Sequence, residues 1–172
     1  NKSLSYVVGE LQIYSLTESG RDAVADAFEI FIGPSLKGSQ GQFFTPRNVV
    51  KMVVDIIDPG INDKVLDPAC GSGGFLVEVL RHVWTKVDER GSELSWPEEE
   101  INSEKQKVAM KNFYGMDKDD FLSKVAKAYM AILGDGRGGV HCGNSLERPE
   151  NWDLESQNDI KLNSFDVVIT NP

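Results

Sequence analysis

Near the carboxyl end, Phe165-Asp166-Val167-Val168-Ile169-Thr170-Asn171-Pro172 sets an amide and a φ-fixed residue behind a short apolar run. Three apolar residues between Asp166 and Thr170 predict a short buried strand. The residue before a proline is held extended, so the Asn171 amide leaves the strand in a defined direction. Its carbonyl, with that of Pro172, has the chemistry to grip an exocyclic amine; the same dipeptide is also a common turn signal. A second cluster, Asp67-Pro68-Ala69-Cys70-Gly71-Ser72-Gly73-Gly74-Phe75, sets an acid and a glycine-rich turn between an expected strand and an expected helix. That is a nucleotide-binding arrangement: glycines admit close backbone approach, and the helix N-terminus offers unpaired N–H groups. Gly73-Gly74-Phe75 stands where a phosphate-cradling P-loop needs Gly-Lys-Ser/Thr, which excludes that loop. The third glycine is also displaced from the Gly-x-Gly-x-x-Gly of a dinucleotide site. Asp67 at the strand end favours a ligand with a cationic end, an ammonium or a sulfonium, and would repel a pyrophosphate.

Two further polar residues fall at the ends of expected strands. Asp117 has the chemistry to accept bonds from two vicinal ribose hydroxyls. It lies fifty positions beyond Asp67, against roughly 20 in the simple dinucleotide pattern, and an acidic insertion accounts for the excess. Asn144, after the next strand, has an amide suited to an adenine edge.

These residues need elements to hold them. Leu4, Val7, Val8 and Leu11 recur at helical spacing, and a second helix is expected over 22–32, stopped by Gly33-Pro34. Residues 35–42 read as a flexible lead-in. Thr45-Pro46 predicts a helix opening, with Thr45 as N-cap and Pro46 at the first helical position. That helix carries Val49, Val50, Val53, Val54 and Ile57 until Asp58-Pro59-Gly60 ends it. Strands are expected at 64–67, 112–117 and 140–142, with helices after the glycine turn and over 119–133. Residues 88–107, with Glu98-Glu99-Glu100, read as a polar surface insertion leading into a helix; residues 147–164 read as a polar loop. Alternating strands and helices imply parallel βαβ units, an α/β fold.

Bulk properties narrow the function classes. With 172 residues, 40% of them hydrophobic and 26% charged, the chain suits one ordinary globular domain. No apolar run approaches membrane-spanning length and no signal peptide is visible, so no membrane role is expected. Cys70 and Cys142 suit a reducing, cytoplasmic setting, with Cys70 read as a small residue packing the loop. No Cys/His spacing resembles a metal site; His82 and His141 read as a helix-surface and a strand-end residue. The first residue is Asn1, which suggests a piece of a longer polypeptide. Net charge is −9, from 27 acidic and 18 basic residues. A DNA backbone is held by clustered Lys and Arg, so any nucleic-acid role must borrow positive charge from elsewhere.

Five segments in order make a family pattern: Gly41-Gln42-Phe43-Phe44-Thr45-Pro46-Arg47, then Leu66-Asp67-Pro68-Ala69-Cys70-Gly71-Ser72-Gly73-Gly74-Phe75-Leu76, Tyr114-Gly115-Met116-Asp117, Gly143-Asn144-Ser145-Leu146 and Phe165–Pro172. Over residues 4–172 the chain resembles the modification (methyltransferase) subunit of type I restriction–modification systems, an adenine-N6 DNA methyltransferase. The resemblance implies a Rossmann-like methyltransferase sheet, about four parallel strands of it here, preceded by a small helical segment. Residues 1–40 would be the helical lead-in and 41–172 the first portion of the catalytic domain. The cofactor implied is S-adenosylmethionine. Phe44, Thr45 and Pro46 would close over its methionine end, with Gln42, Phe43 and Arg47 also in the cofactor site. Asp67 and the turn Gly71, Ser72, Gly73, Gly74 would hold its amino-acid portion, with Pro68, Ala69 and Phe75 also in the cofactor site. Asp117, with Lys118 beside it, would take the ribose, and Asn144, where many relatives carry Asp, would meet the adenine, with Ser145 also in the cofactor site. Asn171 and Pro172 would begin the family's catalytic Asn-Pro-Pro-aromatic motif. Implied partners are DNA, a specificity subunit, a second modification subunit and a restriction subunit. Rival readings are a protein-glutamine or ribosomal-RNA methyltransferase, or a cofactor-binding fragment without turnover; the 172 residues alone are expected to transfer no methyl group.

Overall fold

The computed structural model describes residues 45–133 and 139–172, together with residues 5, 6, 9 and 10, which are helical. The remainder of the two amino-terminal helices expected above, the lead-in with Gln42, Phe43 and Phe44, and the turn over 134–138 lie outside the described residues. The chain divides into two compact units, Asn1–Gln42 and Phe43–Pro172.

In the second unit the order is α1 (Arg47–Ile57), β1 (Val65–Asp67), α2 (Gly74–Glu93), α3 (Glu98–Asn112), β2 (Phe113–Asp117), α4 (Asp120–Leu133), β3 (Val140–Cys142), a 3-10 turn (Pro149–Asn151), α5 (Leu154–Asp159) and β4 (Val167–Val168). The four strands are parallel in the order β3-β2-β1-β4. Succession therefore runs outward from β1 to β3, then reverses to the other side of β1. That reversal is a topological switch point, where open parallel sheets bind ligands beyond the carboxyl ends of their strands.

Register decides which side chains share a face. Asp67 pairs with Gly115, and Gly115 with Val140. A β-carbon on Gly115 would lie 2.8 Å from Leu76 Cδ1 and 3.1 Å from Cys70 Sγ, so α2 is pressed against this face. Val54, Val65, Leu76, Leu80, Val83, Val87, Met130 and Leu133 are fully buried between the helices and the sheet. Burial of such side chains stabilises by about 1.5–3 kcal/mol each. The opposite face presents Leu66, Tyr114, Met116, His141 and Val168. There Phe165 packs edge-on against Tyr114, with centroids 5.4 Å apart.

Four expectations need correction. Pro46, not Thr45, occupies the N-cap of α1, with an extended ψ of 136° and no side-chain cap bond. Its φ of −55° serves either position, so the dipeptide alone does not choose between them. Residues 88–107 do lead into a helix, but the stretch expected as an insertion is mostly helical, because α2 continues to Glu93 and α3 begins at Glu98. The two helices pack so closely that a β-carbon on Gly91 would lie 2.6 Å from Ile101 Cγ1, and Trp84 Nε1 donates to the Lys105 carbonyl at 3.0 Å. The expected polar loop over 147–164 contains α5, capped by Asp153, whose carboxylate accepts from Ser156 N–H at 2.9 Å. Finally, β4 is only partly buried: Ile169 is 4% exposed but Val168 is 60% exposed. Among the described residues no further strand pairs with its outer side.

Candidate functional site at the carboxyl edge of the sheet

The glycine turn after β1 is fastened to the next strand by backbone and side chain together. Cys70 N–H donates to the Met116 carbonyl at 3.0 Å, and Gly71 N–H donates to Asp117 Oδ2 at 2.8 Å. Gly71 and Gly73 have φ of 53° and 90°, a left-handed conformation natural to glycine. These two residues let the chain turn from strand to helix within one tight loop. Gly73 caps α2, so the first N–H groups of a 20-residue helix open onto the loop. Cys70 is buried beneath it, and that burial pushes its thiol far above the ordinary range. It is a packing residue rather than a nucleophile.

Asp67 is 2% exposed. Burial raises its carboxyl to about 6, partly offset by hydrogen bonds from the Thr170 hydroxyl and the Ala69 N–H, with nearby Asp117 raising it further. The Ala69 bond measures 3.1 Å. Asp67 thus ties the end of β1 both to its own loop and to the end of β4. Asp117 is more open. Its Oδ1 accepts from Asp119 N–H at 2.9 Å and its Oδ2 from Gly71, so each oxygen keeps lone-pair capacity for a ligand hydroxyl. Gly143 N–H in turn donates to the Asp117 carbonyl at 2.8 Å.

At the switch point the Asn171 side chain meets the start of α1. Its Nδ2 donates to Thr45 Oγ1 at 2.9 Å. One succession of hydrogen bonds therefore crosses the whole edge: Thr45 to Asn171, Thr170 to Asp67, the turn to Asp117, and Asp117 to the start of the Asn144 loop. Thr45, Asp67, Asp117 and Asn171 are brought together.

Other expected residues are placed differently. The Asn144 amide is turned into its own loop, accepting from Leu146 N–H at 3.1 Å and donating to Glu147 at 3.3 Å. Ser145 lines an apolar cavity of about 320 Å³ beside Leu66, Met116, Trp152 and Val168. Phe75 is buried, so its ring belongs to the core, and only its N–H in the first turn of α2 remains for a ligand. Pro46, Arg47, Lys118, Gly74 and Pro172 are exposed, whereas Pro68, Ala69 and Ser72 are half-buried. Gln42, Phe43 and Phe44 are not among the described residues. Thr170 joins the site without any mark in the sequence around it, because its partner Asp67 comes from a distant strand. No cluster of His, Cys, Asp and Glu that would hold a metal occurs among the described residues, and none of their helices is long and apolar enough to cross a membrane.

Comparison with known proteins identifies the family of the chain. Residues 19–172 match the N-6 DNA methylase family. The chain belongs to that family. It is 28% identical over 137 residues to the type I restriction enzyme EcoEI methylase subunit of Escherichia coli, covering 78% of this chain and 24% of that protein. Against the MjaVII methylase subunit of Methanocaldococcus jannaschii, identity is 27% over 181 residues, covering all of this chain and 26% of the relative. The fold superimposes with a TM-score of 0.63, at 28% identity, on a chain from a structural study of the assembly and conformational transition of the type I restriction–modification system, covering 90% of this chain and 29% of that one. The N-6 DNA methylase chain thus spans about a quarter of the length of the curated relatives it matches. Its α/β architecture is that of their methyltransferase sheet, and membership of the family implies a methyl donor.

Proposed function

We propose that this chain is the donor-binding part of the modification subunit of a type I restriction–modification complex, an adenine-N6 DNA methyltransferase. Residues 41–172 are then the first portion of the catalytic domain. The observation that carries the reading is the hydrogen-bonded line from Thr45 and Asn171 through Asp67 to Asp117 at the switch point of the sheet.

The residues fit S-adenosylmethionine in charge and shape. When bound, it supplies a methyl group activated by a sulfonium. Asp117 offers two carboxylate oxygens to vicinal hydroxyls, at a strand end where the neighbouring backbone is already fixed. The turn at Gly71–Gly73 gives close backbone approach and the first N–H groups of α2 to a carboxylate. Asp67 is too buried to meet an ammonium directly in this arrangement; it shapes the loop, and its charge favours a cationic ligand through a poorly screened wall. Asn144 and Ser145 lie at the β3 end for the adenine, with Asn144 needing to leave its own turn.

Adenine N6 is a poor nucleophile because its lone pair is delocalised into the ring. The Asn171 Oδ1 and the Pro172 carbonyl accept its two hydrogens, favour a pyramidal nitrogen and aim the lone pair along the line of attack. The base must first leave the duplex. With a net charge of −9, the chain relies on a specificity subunit for the DNA backbone; a second modification subunit and a restriction subunit complete the cytoplasmic complex.

The test is to express the complete reading frame with its neighbouring specificity subunit, in a host without adenine methylation, and map modified bases in host DNA. N6-methyladenine at one recurring sequence is expected. Methyl transfer to protein or RNA, with unmodified DNA, would contradict the proposal.

A further inference from the structure

Thr45 stands directly before the N-cap of α1, yet it is not the cap: Pro46 holds that position with no side-chain cap bond. A threonine at a helix start ordinarily turns its hydroxyl to the first N–H groups. Here the Thr45 oxygen instead accepts from Asn171 Nδ2 at 2.9 Å, across 126 residues of sequence. An amide has two unlike ends, one donor and one acceptor. With Nδ2 committed to Thr45, Oδ1 is the end left for a substrate amine. Were the amide reversed, it would present N–H groups to N6 hydrogens, donor against donor.

We infer that Thr45 is a positioning residue for the transfer step: its hydroxyl holds the Asn171 amide by Nδ2, the arrangement that leaves the Oδ1 carbonyl to the substrate. The inference deepens the proposed function and rests on it. It assigns the Thr45 hydroxyl to the acceptor side of the reaction, in addition to the contact with the donor that the family resemblance implies. The Asn171 side chain is held by Thr45, and the residue before it in the chain, Thr170, is anchored on Asp67. The amide is thereby fixed before any substrate arrives.

The experiment uses the complete protein with its specificity partner, S-adenosylmethionine as donor and duplex DNA carrying the target. Two quantities are read: the dissociation constant of the donor, by calorimetry, and the single-turnover rate constant of methyl transfer. Thr45→Val keeps the shape and removes the hydroxyl; at saturating donor it is expected to slow single-turnover transfer about tenfold, beyond any change in donor affinity. Thr45→Ser, which restores the hydroxyl, is expected to recover most of the rate. A Thr45→Val protein whose transfer rate at saturating donor is unchanged would overturn the inference, as would a Thr45→Ser protein that recovers none of a lost rate. A wild-type complex that methylates no adenine would overturn the proposed function itself, and the inference with it.

Discussion

Asp67 is a buried acid whose two partners, the Thr170 hydroxyl and the Ala69 N–H, do not fully offset its desolvation. Its folded pKa of about 6 lies above the ordinary 3.8, so between those values the folded state holds a proton that the unfolded state has lost. Stability contributed by this group therefore falls as pH rises from 3.8 to about 6, and stays low above that. The rise corresponds to about 3 kcal/mol. Asp153 is displaced the other way, held down by the Ser156 hydroxyl and N–H, and loses its contribution as pH falls. Denaturant melts of wild type and Asp67→Asn across pH 4–8 separate the two effects. The variant is expected to lose the Asp67 component and to gain on wild type toward neutral pH. A difference between the two proteins that does not vary with pH would show that the carboxyl is not raised.

Helices and strands are legible in the sequence where apolar residues recur with one clear period. The third strand falls on Val140–Cys142 as expected, and Leu122, Val125, Ala126, Tyr129 and Leu133 bury the inner face of α4. A helix after the polar stretch is expected, but its bounds and its packing on α2 are not legible because α3 buries only Val108 and Ala109 deeply; a polar run with two inward residues carries too weak a period. The site divides in the same way. Asp67, Asp117 and Asn171 are marked by their places at strand ends, whereas Thr170 and the true partner of Thr45 depend on how distant strands align. Packing at the element scale has its own test. Gly115 faces Leu76 Cδ1 and Cys70 Sγ at distances that leave no room for a methyl group. Gly115→Ala is expected to destabilise by about 1–3 kcal/mol through overpacking, measured by chemical denaturation. An unchanged midpoint would mean that α2 yields easily and does not set the position of the glycine turn.

Across the whole molecule, fold and charge assign different tasks. The reversal of strand order between β1 and β4 brings Thr45 and Asn171 to the same edge as Asp67 and Asp117, whereas a net charge of −9 is unsuited to a phosphate backbone. Mobility-shift titration of this chain alone with duplex DNA at physiological salt is expected to show no retention. A salt-dependent complex formed by the chain alone would contradict that division of labour. The most direct measurement is a structure of the complete protein with S-adenosylhomocysteine, the demethylated product, bound. Both ribose hydroxyls are expected within about 3 Å of the Asp117 carboxylate oxygens, with the sulfur turned toward Asn171. A nucleoside lodged away from the strand tips, with Asp117 and Asn171 both untouched, would contradict this placement.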